Sequence, residues 1–253
     1  MHDISKQSNL LKCIKNSSLP DTLSSFWIGR QPYNNIWELQ RNLHHSISNE
    51  TIGDVILLLE HPHVYTLGKN ADNNHLLPSY PKVADVIDID RGGDITYHGP
   101  GQLVGYPLIN LKHYRKSVSW YMNILEEIII TSLADIGINS NKRDNLTGVW
   151  VEDEKICAFG VRMAKWTTMH GFALNLNPDM NFFNGIIPCG IFEYGVTSVK
   201  ELINKEMSVY ELANIVSENC NKYFIWCSCY RCKDIKTMLL QIKLYPVPQR
   251  ARC

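Results

Sequence analysis

Charge of one sign is the plainest thing this 253-residue chain lacks: 25 Lys and Arg stand against 25 Asp and Glu. That balance excludes a global field of the kind that attracts nucleic acid or an anionic membrane, and leaves room only for local patches. Long apolar runs are missing too, and no stretch approaches the ~20 residues a membrane span needs. Met1 to Pro20 is polar, has no secretory h-region and contains no arginine, which argues against a secretory or organelle leader. We therefore expect a cytoplasmic protein with reduced thiols. The glycine pair Gly92-Gly93 fits neither G-x-G-x-x-G nor the Walker A spacing, so nucleotide binding through those motifs is unsupported. Cys227, Cys229 and Cys232 are spaced C-x-C-x-x-C with no following His, not as the paired C-x₂-C of a zinc ribbon. A zinc site there would need Cys220 or Cys253 as a fourth ligand. Ordinary thiols are the simpler reading, and no metal is expected.

The hydrophobic share, 45%, is enough for a sizeable core. Ile36, Leu39, Leu43 and Ile47 recur at helical spacing and predict a helix over about 34–47. Val55 to Leu59 reads as a buried strand, and Val64 to Gly68 as a short one. Val86, Ile89 and Ile95 to Tyr97 read as strands around the double-glycine turn, followed by a strand over Leu103 to Leu111. Tyr121 to Ile136 carries a helical stripe that Gly137 stops. Strands return at Val149 to Val151, Ile156 to Met163 and Thr167 to Leu176. Ser198 with Glu201, and Ser208 with Glu211, then read as capping boxes opening two helices, the second reaching about Tyr223. The order predicts an α+β fold, a mixed sheet flanked by helices, and not a steady βαβ alternation. Residues 1–25 read as a flexible lead-in, 26–224 as a catalytic domain and 225–253 as a Cys-rich, basic appendage.

The residues able to carry chemistry cluster in a few motifs. The run Arg91-Gly92-Gly93-Asp94-Ile95-Thr96-Tyr97-His98 places a short strand between glycine turns, where backbone can approach a ligand closely. Cys189 sits between Pro188 and Gly190, a turn that can present a thiol to a cavity; the plain alternative is a small buried hydrophobe. Lys155 follows an acidic run and begins an apolar strand. Alone it reads as a solvated lysine, but an ammonium beside a thiol stabilises the thiolate. His98, His61 and His170 are supporting candidates, each open to the alternative of a hydrogen-bonded structural imidazole. Lys142, Arg143, Arg162 and Lys165 are candidates for a local basic patch facing an acidic partner.

Together these segments resemble the lipoyl(octanoyl) transferase family. The resemblance rests on Glu60-His61-Pro62 with Tyr65 to Gly68, Arg91 to Gln102, Lys155 with Gly160 and Arg162, His170 to Asn175, Pro188 to Ile191, and Val196-Thr197-Ser198, in family order over about 55–210. It implies a fold like that of the biotin and lipoate protein ligases. It also implies transfer of an octanoyl or lipoyl group from acyl carrier protein to a lysine of lipoyl domains, without ATP or another cofactor. The acceptors would be the lipoyl domains of 2-oxoacid dehydrogenases and the glycine cleavage H protein, and the enzyme would be a monomer. Cys189 would hold the acyl group as a thioester, and Lys155 would lower its pKa and take the proton of the incoming amine. Arg91 to His98, Ala158-Phe159-Gly160 and Gly171-Phe172-Ala173 match the acyl-binding segments. His63 and Lys69 depart from the pattern, standing where proline and arginine are more usual. The rivals are an ATP-dependent lipoate ligase, which needs no cysteine nucleophile, and a non-catalytic protein that binds a metal or partner through the C-terminal thiols.

Overall fold

Two sheets and five helices make up the described residues (1–6, 9–19, 22–187, 194–203 and 206–224) of the computed structural model. The chain runs β1 (His2–Asp3), α1 (Leu10–Ser17), β2 (Leu23–Arg30), α2 (Tyr33–Ser48), β3 (Asp54–Glu60), β4 (Val64–Leu67), β5 (Asp85–Asp88), β6 (Ile95–His98) and β7 (Gln102–Leu108). It continues with α3 (Val118–Ala134), β8 (Asn141–Arg143), β9 (Leu146–Val151), β10 (Glu154–Ala164), β11 (Thr167–Asn175), β12 (Gly195–Val196), α4 (Val199–Leu202) and α5 (Val209–Tyr223). The large sheet is ordered β1-β2-β3-β7-β11-β10-β9-β8, with β12 added beside the start of β10; the small one is ordered β5-β4-β6. Parallel and antiparallel pairs mix in both.

Strand alternation explains the layering. Along β3, Val55, Leu57 and Leu59 pack under α2, while Ile56 and Leu58 join α3 and α5 on the opposite face. A strand buried on both faces needs an unbroken apolar run, and Val55 to Leu59 supplies it. On α2, Ile36, Leu39, Leu43 and Ile47 form the buried stripe. Ser117 caps α3 by accepting from the Trp120 backbone N–H, and Gly137, at φ +90°, ends it in the left-handed region.

Several elements differ from their sequence signals. The lead-in expected over 1–25 contains β1 and α1; β1 pairs with β2, and Ile14 of α1 is fully buried. Ser198 makes no backbone cap. Its hydroxyl donates to the Glu201 carboxylate at 3.1 Å, and α4 lasts only 4 residues. The Ser208–Glu211 box forms in full. The expected appendage at 225–253 lies outside the described residues. No helix among those described is long and apolar enough to cross a membrane.

Asp54 at the start of β3 is buried, and it accepts from the Asn110 backbone N–H at 2.8 Å and from the Tyr114 hydroxyl at 3.0 Å. Burial outweighs those bonds and raises its carboxyl to about 7. The folded state thus holds a proton that the unfolded chain releases near its ordinary value of 3.8, so stability falls as pH rises from about 4 through 7. Asp54→Asn should remove that loss. The variant's Tm advantage over wild type should grow between pH 5 and pH 8, at about 2–4 °C per kcal/mol. An advantage that is the same at both pH values would show that Asp54 titrates in the fold as it does in the unfolded chain, with no raised carboxyl.

Candidate active site

The site lies where the small sheet meets β10 and β11. Antiparallel pairing sets Ala158 opposite Ala173 and Gly160 opposite Gly171, so two pairs of small residues lie side by side across the ladder. Above them the cleft has two lobes. Tyr33, Arg91, Thr96, His98, Tyr106, Phe159, Gly160, His170, Gly171 and Phe172 line one. Ile95, Gln102, Lys155, Asn175, Phe183, Ile186 and Val196 line the other. Thr96, Ala158 and Ala173 are common to both, so the lobes join. Each offers about 30 Å³, room for a water or two.

Lys155 is buried, not solvated, at 8% exposure. Its ammonium lies 4.8 Å from the centre of the Trp150 ring, a cation–π contact. Gly148, at φ +151°, makes room for it: a Cβ there would sit 3.0 Å from both Lys155 Cε and Trp150 Nε1. β12 closes on the same strand, with Val196 beside Lys155. Cys189 itself lies outside the described residues. The nearest described residues on either side are Ile187 and Tyr194, and Ile186 and Val196 both line the lobe that holds Lys155.

Arg91 is buried at 6% exposure. It donates to Thr66 O at 2.7 Å, Thr66 Oγ1 at 3.0 Å and Gly92 O at 3.0 Å. A Cβ on Gly160 would sit 2.8 Å from Arg91 Cδ, so Gly160 admits the arginine stem. The imidazoles form a second group. His61 donates from Nδ1 to Gln31 O at 2.6 Å and meets the Tyr106 hydroxyl at 2.8 Å. His98 meets Gln102 Oε1 at 2.8 Å, and His170 meets Asp90 Oδ1 at 2.9 Å. Burial lowers His61 to about 4 and His98 to about 3, and it lowers His170 as well, so all three are neutral at physiological pH. The His170 bond, with help from Arg162, holds Asp90 down at about 2. His170 also has φ +57°, a left-handed conformation unusual for a non-glycine residue.

The cleft brings together most of the residues expected from sequence, with exceptions. Gly92, Gly93 and Asp94 do not line it. Gly92 N–H instead bonds Val161 O at 3.0 Å, Gly93 turns the chain at φ +87°, and Asp94 pairs with His75. Tyr97 packs away from the cleft among Tyr65, Phe182 and Phe183. His61 sits behind the wall, through Tyr106. His63, one of the departures from the family pattern, stacks on Phe182 at 4.1 Å. The candidate basic patch does not assemble. Lys142 pairs with Glu127 at 2.8 Å, Arg143 with Asp153 and Arg162 with Asp90. Moreover, Lys142 and Arg143 lie on β8, reached through β9 from the start of β10, whereas Arg162 and Lys165 lie at its far end. Of the candidate zinc ligands, Cys220 is buried in α5 with its thiol pushed up to about 12; Cys227, Cys229, Cys232 and Cys253 lie outside the described residues. Tyr33, Tyr106, Asp90 and Gly148 are site residues that sequence reading missed. Tyr106 left a signal, as a hydroxyl-bearing ring alternating with Val104 and Leu108 on one buried strand face.

Residues 32–221 match the lipoyl protein ligase A/B catalytic domain. The octanoyltransferase of Cytophaga hutchinsonii is 39% identical over 220 residues, covering 78% of this chain and 90% of that protein. The octanoyltransferase of Gloeobacter violaceus is 47% identical over 164 residues, 64% of this chain and 73% of that protein. A structure of a bi-partite lipoate protein ligase and its E2 lipoyl domain from Thermoplasma acidophilum matches with a TM-score of 0.58 at 12% identity, over 88% of this chain and 92% of that one. That likeness defines the class by fold, a lipoate-ligase-type catalytic domain. The chain belongs to the lipoyl protein ligase A/B catalytic domain family, and its octanoyltransferase relatives make it an acyltransferase.

Two outcomes follow from the geometry. Gly148→Ala strains a left-handed backbone and drives a methyl against Lys155. We expect at least a tenfold loss of activity, with a stability loss of about 1 kcal/mol or more; full activity would separate Gly148 from the placement of Lys155. Cys157 follows Lys155 by two residues, but burial pushes its thiol well above the ordinary range. Mass mapping after alkylation at neutral pH should find Cys157 unmodified in the native protein and modified only in denaturant, and Cys157→Ala should remain active. Rapid native labelling at Cys157 would contradict this.

Proposed function

We propose that the protein transfers an octanoyl group from acyl carrier protein to a lysine amine of lipoyl domains through a thioester on Cys189. One observation carries the reading: Lys155 shares its lobe with Ile186 and Val196, which flank the Cys189 stretch in the chain, and that lobe opens over Ala158 and Ala173 into a slot floored by small residues. In the first half-reaction the Cys189 thiolate attacks the acyl carbonyl. The carbon–sulfur bond to the carrier's thiol breaks, and that thiol departs with the proton of the Lys155 ammonium, which leaves Lys155 as a neutral amine. In the second, a lysine amine attacks the new thioester, an amide forms and the Cys189 thiolate is released. Lys155 stabilises the thiolate in the first half and accepts the amine proton in the second. The donor thioester is already an activated acyl group and lies above the product amide in free energy, so no ATP is needed.

The slot suits an aliphatic chain. A C8 tail gains on the order of 5 kcal/mol at about 0.8 kcal/mol per buried CH₂. The lobes are narrow, so the chain enters by displacing side chains along the walls. Burial keeps His61, His98 and His170 neutral beside it. The acceptors under this reading are lipoyl domains of 2-oxoacid dehydrogenases and of the glycine cleavage H protein. The Thermoplasma ligase, described with an E2 lipoyl domain, supports that class of acceptor.

The test is intact-mass analysis after incubation with octanoyl-carrier protein, without ATP. The wild type should gain one octanoyl group, and Cys189→Ala should gain none and lose transfer to a lipoyl domain. Lys155→Ala should slow adduct formation by roughly 10²-fold or more, and Lys155→Arg should restore charge but not proton acceptance. Near-normal turnover in Cys189→Ala, or dependence on ATP, would end this mechanism in favour of a ligase.

A further inference from the structure

We propose that His75, Asp94, Gln102 and Asn175 are positioning residues: two side-chain relays, rooted at the two ends of β6, fix the backbone on either side of the Pro188–Glu193 stretch. The proposal rests on the reading of Cys189, within that stretch, as the nucleophile.

The first relay starts just before β6. Asp94 Oδ2 lies 2.5 Å from His75 Nδ1, and its Oδ1 accepts from the Asp72 backbone N–H at 3.2 Å. These side chains are 12% and 24% exposed, so the pair is more sheltered than a surface ion pair. Backbone bonds add to it: Lys69 N–H reaches Arg91 O and Asn70 N–H reaches Gly93 O. The segment so fastened to the double-glycine turn presents its own backbone to the chain before Cys189. His75 O accepts from Ile187 N–H at 2.9 Å, Leu76 bridges Ile186, and Leu77 N–H bonds Gly185 O at 2.9 Å.

The second relay starts at the other end of β6. Its direction follows from its last acceptor. Thr197 O can only accept, so Asn175 donates to it from Nδ2 at 3.0 Å and keeps Oδ1 as an acceptor. Gln102 Nε2 fills that acceptor at 2.9 Å and also reaches Tyr97 O at 3.2 Å. Gln102 Oε1 is then left to accept from His98 Nδ1–H at 2.8 Å, which fixes the His98 tautomer. Thr197 N–H in turn bonds Lys155 O at 3.1 Å. Gln102, Asn175 and Thr197 are buried, so a broken link strands a polar group away from water. One four-residue strand, whose Thr96 and His98 line the acyl slot, thereby grips the chain both two residues before Cys189 and eight residues after it. Displacement of a reacting group by about 1 Å costs on the order of 10²-fold in rate, which is the reason to fix both ends.

The experiment combines residue-resolved amide exchange with the rate of octanoyl adduct formation from a small octanoyl thioester. His75→Ala and Asp94→Ala should each speed exchange at the Ile187 amide about tenfold or more while leaving Thr197 protected; Asn175→Ala should do the reverse. Each should slow acylation at least about tenfold with KM for the thioester changed less than about twofold. The double variant of His75 and Asp94 should be no slower than Asp94→Ala alone, because the His75 link is already gone there. His75→Asn, whose Nδ2 takes the place of the imidazole Nδ1, should restore exchange and rate. His75 is partly exposed, so its arm stands even if Asn175→Ala fails to fold. Unchanged Ile187 exchange in His75→Ala, or additive losses in the double variant, would overturn the relay. Absence of any wild-type adduct on Cys189 would instead remove the reading of the nucleophile, and the exchange pattern would show separately whether the relays hold the chain.

Discussion

A buried guanidinium fastens the small sheet to the large one, and the cleft exists because of it. Arg91 holds Thr66 of β4 through both the carbonyl and the hydroxyl, and its stem lies over Gly160 of β10. A charge out of water is costly unless its donors are used, and here they are spent on Thr66 within β4 and on Gly92 O in the turn before β6. The Gly92 N–H to Val161 O bond repeats the attachment one residue on. The gap left between the two sheets is the slot. Its floor stays flat because Gly160 and Gly171 carry no side chain. Neither glycine is replaceable by alanine without movement, since a Cβ on Gly171 would meet Gly105 O at 2.2 Å.

The polar residues around the slot do different work from its floor. Three imidazoles and two tyrosines sit within one ring contact of each other, with His61 5.0 Å from Tyr33 and 5.8 Å from His98. Burial holds the histidines neutral, so they serve as directional donors and acceptors and not as charges. Lys155 is the cation placed at the other lobe, against an aromatic face and under a glycine. Under the proposed reaction the hydrocarbon would meet neutral imidazoles and a guanidinium already donating to Thr66 and Gly92, while the cation of Lys155 stands apart in the other lobe.

Much of this was legible in the sequence, for identifiable reasons. Val55 to Leu59 announced a strand buried on both faces, and the stripe from Tyr121 to Leu133 announced α3. Arg91, Thr96 and His98 stand together in one sequence run, but that run also contains Tyr97, which strand alternation turns to the opposite face. From sequence the double-glycine turn reads as a direct ligand wall, whereas its glycines serve the turn and the join to β10. That distinction depends on contacts to Val161 and Arg91 distant in sequence. β2 was largely hidden: Phe26, Trp27 and Ile28 are buried there, but no alternation marks a strand that lies between two neighbours with both faces covered. Asp90, a lone carboxylate in sequence, gains its role only from Arg162 and His170, 72 and 80 residues away. The basic patch failed for the same reason, since each of Lys142, Arg143 and Arg162 met a carboxylate that local sequence does not pair with it.

Under the proposed reaction, the slot over Ala158, Gly160, Gly171 and Ala173 holds the acyl chain of a Cys189 thioester beside Lys155. The most direct measurement is a crystal structure of the octanoyl-enzyme. Continuous density should run from the Cys189 sulfur past Lys155, with the hydrocarbon lying across the two small-residue pairs and its end toward Tyr33 and His170. An octanoyl group lodged instead in the wider cavity of about 410 Å³ lined by Leu77, Met180, Asn184 and Tyr194, with the slot unchanged, would contradict it.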